Sequence, residues 1–164
     1  MRFIEHPYIF ILLFLIIPLI HELGFYFTHR LLHFKFLYKI AHRIHHKNIN
    51  PGPWSGLSMH PIEHLIYFGI ILILLLFPTH PLHALNLLIR LGISPAEGHS
   101  GFDRIVIKKN KSFNASFYAH YLHHKHFEVN YADGIFPLDK LFGTFHDGTV
   151  EGDKIFRERR KILD

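Results

Sequence analysis

The chain has no cysteine among its 164 residues. That absence excludes a disulfide framework, thiolate zinc sites, cysteine-ligated iron–sulfur clusters and a cysteine nucleophile. Charge is sparse as well, at 19%, and skewed, with 18 Lys and Arg against 13 Asp and Glu for a formal net charge of +5. No flavin, haem or ferredoxin motif is present, so any electrons the chemistry needs come from a separate protein. No nucleic-acid fold signature and no basic–aromatic single-strand pattern appears either, which excludes nucleic acid as the partner of the basic excess. What is abundant is apolar residue, 49% with 17 Phe, which excludes a disordered tail. Histidine is abundant too, at 17 residues. The length suits one domain spanning 1–164.

The apolar residues come in runs. Tyr8–Ile20 carries no charge, and Leu23–Phe27 extends it past His21 and Glu22. A helix over Pro7–Thr28 is about 20 residues long, enough to cross a hydrocarbon core, and makes 1–28 the first transmembrane helix. Pro7 suits a first helical turn, and Pro18 kinks such a helix without ending it. A secretory signal peptide is the competing reading, but the start carries one Arg and one Glu and no small-residue cleavage site follows. Leu65–Phe77 and Leu82–Ile93 flank Pro78-Thr79-His80-Pro81, which predicts a helical hairpin over 61–93. Arg30, Lys35, Lys39, Arg43 and Lys47 follow the first helix, and Lys108, Lys109, Lys111 and Lys154–Lys161 follow the hairpin. The hairpin turn has no Lys or Arg, so the positive-inside rule places 29–60 and 94–164 together on the cytoplasmic side. The expectation is an all-α protein, with an integral membrane stem of few helices and a cytosolic helical cap.

The histidines are spaced, not scattered. His29-Arg-Leu-Leu-His33 and His60-Pro-Ile-Glu-His64 are HxxxH, while His42-Arg-Ile-His45-His46 and His120-Tyr-Leu-His123-His124 are HxxHH. His99 stands alone in Gly98-His99-Ser100. At i,i+3 or i,i+4 two imidazoles share a helix face and can converge on one metal; HxxHH adds a ring on the adjacent side that can reach a second ion. Shuffled at this abundance, HxxHH would occur roughly 0.16 times, yet it occurs twice. Eleven clustered imidazoles exceed the capacity of one ion, so two ions are the economical reading. Glu63, Glu97, Asp103, Glu128 and Asp139 are candidates to orient the rings. Imidazole suits zinc, copper, iron and nickel alike. Beside a membrane the chemistry is either hydrolysis by a zinc-bound hydroxide or oxygen activation by iron. His60–His64 also fits the inverted zinc-protease motif HxxEH, which leaves the other clustered histidines unexplained. A histidine-rich metal-transport protein would place ligands midway along its helices, whereas His21 and His64 read as helix-end residues.

In the order and spacing of these boxes the sequence resembles the fatty acid hydroxylase/sterol desaturase superfamily of membrane di-iron enzymes. The matching string is HRLLH (29–33), Leu37-Tyr38-Lys39 leading into HRIHH (42–46), His60-Pro61, HSGF (99–102), HYLHH (120–124), Asn130-Tyr131 and Asp139-Lys140-Leu141-Phe142-Gly143-Thr144. The resemblance covers roughly residues 20–148. It implies a helical membrane stem under a cytosolic cap and two iron ions, with zinc as another possible occupant. It also implies O2-dependent hydroxylation or desaturation of a lipid, fed by a reductase with cytochrome b5 or a ferredoxin-type donor. By position it implies His29, His33, His42, His45, His46, His120, His123 and His124 as ligands, with His60 and His99 where the family places further ones. His64 joins them at a position that varies among branches. His21, His80, His83, His126 and His146 fall outside the boxes; His126 and His146 are expected as outer-shell or surface residues. Members usually carry at least one further transmembrane helix before the first box, so the expectation is either a compact or truncated member, or a partner or a second copy, as a homo-oligomer, that completes the substrate tunnel. Asp139–Thr144 reads as a structural turn, with Gly143 as its stop.

Overall fold

The computed structural model describes residues 5–109, 111–114, 117–134 and 136–163. α1 (Pro7–Leu32) begins with Pro7 in its first turn, runs through Pro18 and ends at His33. It is longer than the sequence predicts, and the extra turn carries His29. It also leaves His21 and Glu22 inside the helix rather than at its end, where both are buried. Glu22 meets the Arg90 guanidinium at 3.8 Å and accepts from the Phe136 amide at 3.3 Å. α1 is long and apolar enough to cross a membrane.

The hairpin forms, with a change of pitch. α3 (Pro61–Gly69) passes into a 3₁₀ stretch over Ile70–Leu76, and α4 (Pro81–Gly98) returns. The turn is tied by its own histidines. His80 caps α4 by accepting from the Leu82 amide at 3.2 Å, and His83 Nδ1 accepts from the His80 amide at 2.9 Å. His83 Nε2 then donates to the Phe10 carbonyl at 3.0 Å, fastening the turn to the start of α1. Leu13, Ile17, Tyr67, Leu74, Leu87 and Leu91 form the bundle core. The outward residues are apolar as well: Ile11, Leu15, Leu65, Leu72, Leu75, Leu85 and Ile89 are all exposed.

The rest is built from short pieces: α2 (Lys35–Leu37), a π-turn over Tyr38–His42 and 3₁₀ turns at His45–Lys47 and Pro53–Ser55. α5 (Phe117–His126), α6 (Leu138–Leu141) and α7 (Val150–Leu163) follow. One feature departs from the all-α expectation. Arg104–Lys108 and Lys111–Asn114 pair antiparallel as β1 and β2, in register Arg104↔Asn114 and Ile105↔Phe113. Ile105-Val106-Ile107 is a β-branched run, which explains the strand.

Candidate metal centre

Four elements carry the first box and its partners. The last turn of α1 places His29 and His33 on one face, the π-turn brings in His42, and the 3₁₀ turn brings His46. α5 supplies His123 from the opposite side. The Nε2 atoms of His33, His123, His46 and His42 close a four-membered ring. Its edges are 3.1 Å (His33–His123), 3.1 Å (His123–His46), 3.0 Å (His46–His42) and 3.1 Å (His42–His33). The middle of a flat ring with such edges lies about 2.2 Å from each nitrogen, close to a metal–imidazole bond. His29 joins the same group, its Nε2 buried and meeting no protein partner among the described residues.

His45, His99, His120 and His124 form a second group beside the first. His99 and His120 approach through Nε2 at 2.9 Å, and His45 and His124 at 3.2 Å. Each HxxHH box therefore splits between the groups. His42, His46 and His123 serve the first; His45, His120 and His124 serve the second. His99 reaches the second from the C-terminal end of α4.

The opposite ring nitrogens are mostly held from outside. His29 Nδ1 donates to the Tyr131 carbonyl at 2.8 Å, His123 Nδ1 to Val129 at 2.6 Å and His124 Nδ1 to Asn48 at 3.0 Å. His42 Nδ1 donates to Glu63 Oε1 at 2.7 Å, and His99 Nδ1 to Ser55 Oγ at 3.1 Å. A neutral imidazole that donates through Nδ1 has its lone pair on Nε2, so these rings aim lone pairs inward. Burial and the neighbouring rings keep them neutral. His33 is pushed down to about 2 and His99 to about 3, each first by burial and then by other histidines. His124 is pushed down to about 4 by burial, and His42, His45, His46, His120 and His123 lie well below the usual histidine range for the same reasons. Nine buried neutral imidazoles, five of them turned by their Nδ1 bonds to aim a lone pair inward and one of those five, His29, with no partner for its Nε2 among the described residues, fit a pair of borderline divalent cations.

His60 and His64 are not brought to either group, although the sequence counts them among the ligands. His60 caps α3, its Nδ1 accepting from the Ile62 amide at 3.2 Å, because Pro61 starts the helix there. His64 stacks on Phe68 with ring centroids 5.9 Å apart. Glu63 points away from both toward His42, so the three residues of HxxEH do not converge on one site. Among the other acids, Asp139 accepts from the Tyr131 and Ala132 amides at 2.8 and 2.9 Å and from Thr144 Oγ1 at 2.7 Å. It thereby sets the loop whose carbonyl holds His29. Gly143, at φ 69°, stops the following turn. Glu97, Asp103 and Glu128 are exposed. Ser55 and the carbonyls of Asn48, Val129 and Tyr131 are partners that the sequence did not reveal; backbone groups leave no signature in residue type.

Both groups open on one cavity of about 40 Å3, lined by His29, His42, His45, His99 and His120 together with Phe25, Leu32, Tyr67, Glu63 and Asp133. That volume holds a few waters, or dioxygen beside a methyl group, but no lipid chain. Asp133 on its wall is pushed up to about 7, by burial first and then by Glu97 and Glu22.

The sequence comparisons agree with this geometry. The family model described as "Fatty acid hydroxylase" matches residues 14–144. Methylsterol monooxygenase 1 of Gallus gallus is 34% identical over 130 residues, 76% of this chain and 43% of the relative. The Rattus norvegicus methylsterol monooxygenase 1 is 33% identical over 138 residues, again 76% and 43%. A Delta(7)-sterol 5(6)-desaturase of Gibberella zeae is 29% identical over 128 residues, 73% of this chain and 34% of the relative. The matched stretch thus spans less than half the length of each of these relatives. No solved structure matches the chain. With the ordered histidine boxes and the family match over most of its length, the chain belongs to the fatty acid hydroxylase family, within the fatty acid hydroxylase/sterol desaturase superfamily.

Proposed function

We propose that this protein catalyses O2-dependent hydroxylation or desaturation of a membrane lipid, of sterol or fatty acyl type, at a two-iron centre. The observation that carries this reading is the convergence of two neutral histidine groups on one small cavity. The sterol monooxygenase and desaturase relatives support the substrate class. His29, His33, His42, His46 and His123 would hold one iron, and His45, His99, His120 and His124 the other. When bound, the irons supply dioxygen activation and removal of hydrogen from an unactivated carbon.

The chain's own residues do the positioning. Glu63, Ser55 and the carbonyls of residues 48, 129 and 131 fix ring orientation and ligand basicity. Phe25, Leu32 and Tyr67 keep bulk water from the cavity. The bundle is apolar inside and out, as a helix bundle in hydrocarbon must be, and this supports a membrane stem with the metal-bearing cap on the cytoplasmic side. A substrate then approaches from the bilayer with one carbon entering the cavity. Hydroxylation converts C–H, O2, two electrons and two protons to C–OH and water. Desaturation removes two hydrogens and yields two waters from the same inputs. The electrons come from a separate donor of reductase, cytochrome b5 or ferredoxin type.

The test is mass spectrometry of host lipids with and without the protein, paired with metal analysis. The expected result is a new lipid alcohol or alkene, two irons per chain and O2 consumption on reduction. Zinc-dependent peptide cleavage with an unchanged lipid profile would sink the proposal.

A further inference from the structure

A third cluster of metal-type ligands lies outside the two histidine groups. His126 ends α5, His146 lies in the loop before α7, and Asp153 sits in the first turn of α7. Their donor atoms all lie within 4.8 Å of one another. His146 Nε2 is 3.2 Å from Asp153 Oδ1, and His126 Nε2 is 3.7 Å from the same oxygen. Neighbouring ligand atoms on a four-coordinate zinc stand about 3.3 Å apart, given bonds of about 2.0–2.1 Å. The His146 side chain is only 1% exposed, and its Nε2 has no hydrogen-bond partner among the described residues. Asp153, at 36% exposed, leaves the cluster a path to solvent.

We propose that His126, His146 and Asp153 form a separate site for a divalent cation of the zinc type, which fastens α7 to the end of α5. Two imidazoles and one carboxylate suit such an ion, and the carboxylate offsets part of its charge. The fastening has a purpose in this fold. Beside these Asp153 contacts, α7 meets the same two rings through Phe156, edge-on to His126 at 6.2 Å and to His146 at 6.1 Å. A cation adds bonds from α7 to two other elements. His146 and Phe156 also line a cavity of about 670 Å3, together with Arg30, Tyr131 and Lys140.

One hydrogen bond limits its strength. The Gly148 amide donates to His146 Nδ1 at 3.0 Å, which puts the ring proton on Nε2 while no cation is bound. Binding at Nε2 moves that proton to Nδ1 and gives up the Gly148 bond. This site therefore fills at higher free zinc than the histidine groups and empties first under a mild chelator.

The experiment is zinc titration of the full chain in detergent, with bound metal counted after desalting. Asp153→Asn is the first variant, because the residue is partly exposed and the histidine groups lie elsewhere. Wild type is expected to hold one zinc more than Asp153→Asn, whatever number the histidine groups retain. His146→Gln should lose the same single ion, and Asp147→Asn should keep it. Equal zinc content in wild type and Asp153→Asn overturns the proposal. A second readout is tryptic cleavage at the exposed Arg157 in α7. Zinc should slow it about tenfold in wild type and not at all in Asp153→Asn; equal protection in both overturns the proposal as well. Neither readout depends on turnover, so a failed lipid assay does not bear on it.

Discussion

The two histidine groups share boxes, a helix and a cavity, yet they are not built alike. The first has five rings, four of them in a closed Nε2 ring, and its support includes the Glu63 carboxylate on His42. The second has four rings in two close pairs, and the support named for it is neutral: Ser55 Oγ on His99 and the Asn48 carbonyl on His124. A carboxylate behind an imidazole raises its basicity more than a hydroxyl or carbonyl does. On the proposed two-metal reading, the first group would hold the tighter and more electron-rich cation and the second the more readily exchanged one.

The largest test of that difference is loss of a ligand. His123→Ala should empty the first group and cut turnover more than about a hundredfold, beyond the ~10–100-fold cost of losing an outer-shell partner. His124→Ala should empty the second group and leave the first loaded. If either variant loses both metals, the groups are one site. Next come the outer partners. Glu63→Gln keeps an acceptor for His42 but removes the acid, and should weaken metal binding in the first group by about ten- to a hundredfold. Ser55→Ala should act on the second group alone, toward the lower end of that range. Competition with a calibrated chelator reads both, and equal effects on both groups would erase the distinction.

Acid should expose the same histidines in the metal-free protein. Their folded-state pKa values lie below the unfolded value of 6.5, so the unfolded chain binds more protons as pH falls. Stability is intact above about pH 6.5 and declines progressively from there through about 4, the value for His124, toward the lower values of His99 and His33. Denaturation midpoints measured across that window should fall; a flat profile would mean that the rings are not buried neutral. The smallest effect belongs to His83→Ala. It should leave metal content unchanged and cost about 1–3 kcal/mol in thermal unfolding, from the lost bonds to His80 and Phe10.

What the residues disclosed depended on whether the information was periodic. HxxxH at 29–33 predicts two rings on one helix face, and α1 delivers them. HxxHH predicts one ring turned aside from the other two, and His45 leaves His42 and His46 for the second group while His123 leaves His120 and His124 for the first. The same HxxxH spacing at 60–64 gave no shared site, because Pro61 makes His60 a cap and only one of the two rings belongs to the helix body. The π-turn over Tyr38–His42 carries no periodic signal, although it sets where His42 meets Glu63. The hairpin was visible from its prolines, but the 3₁₀ stretch at Ile70–Leu76 was not, since an all-apolar run has the same pattern at either pitch. The strand at Arg104–Lys108 has only the three β-branched residues Ile105-Val106-Ile107 to mark it, too short a run to stand out in a chain dominated by helical spacing.

The small cavity between the groups has a consequence for selectivity. An enzyme that encloses its whole substrate can measure it by shape. If the proposed lipid oxidation takes place here, a chamber of about 40 Å3 would take in only the reacting part of the substrate, and the rest of the lipid would be measured outside, by how far its anchored end lies from the rim. Regiochemistry then becomes a matter of reach. On that reading, lengthening or tilting the outer support should move oxidation along the carbon skeleton without altering the metal ligands.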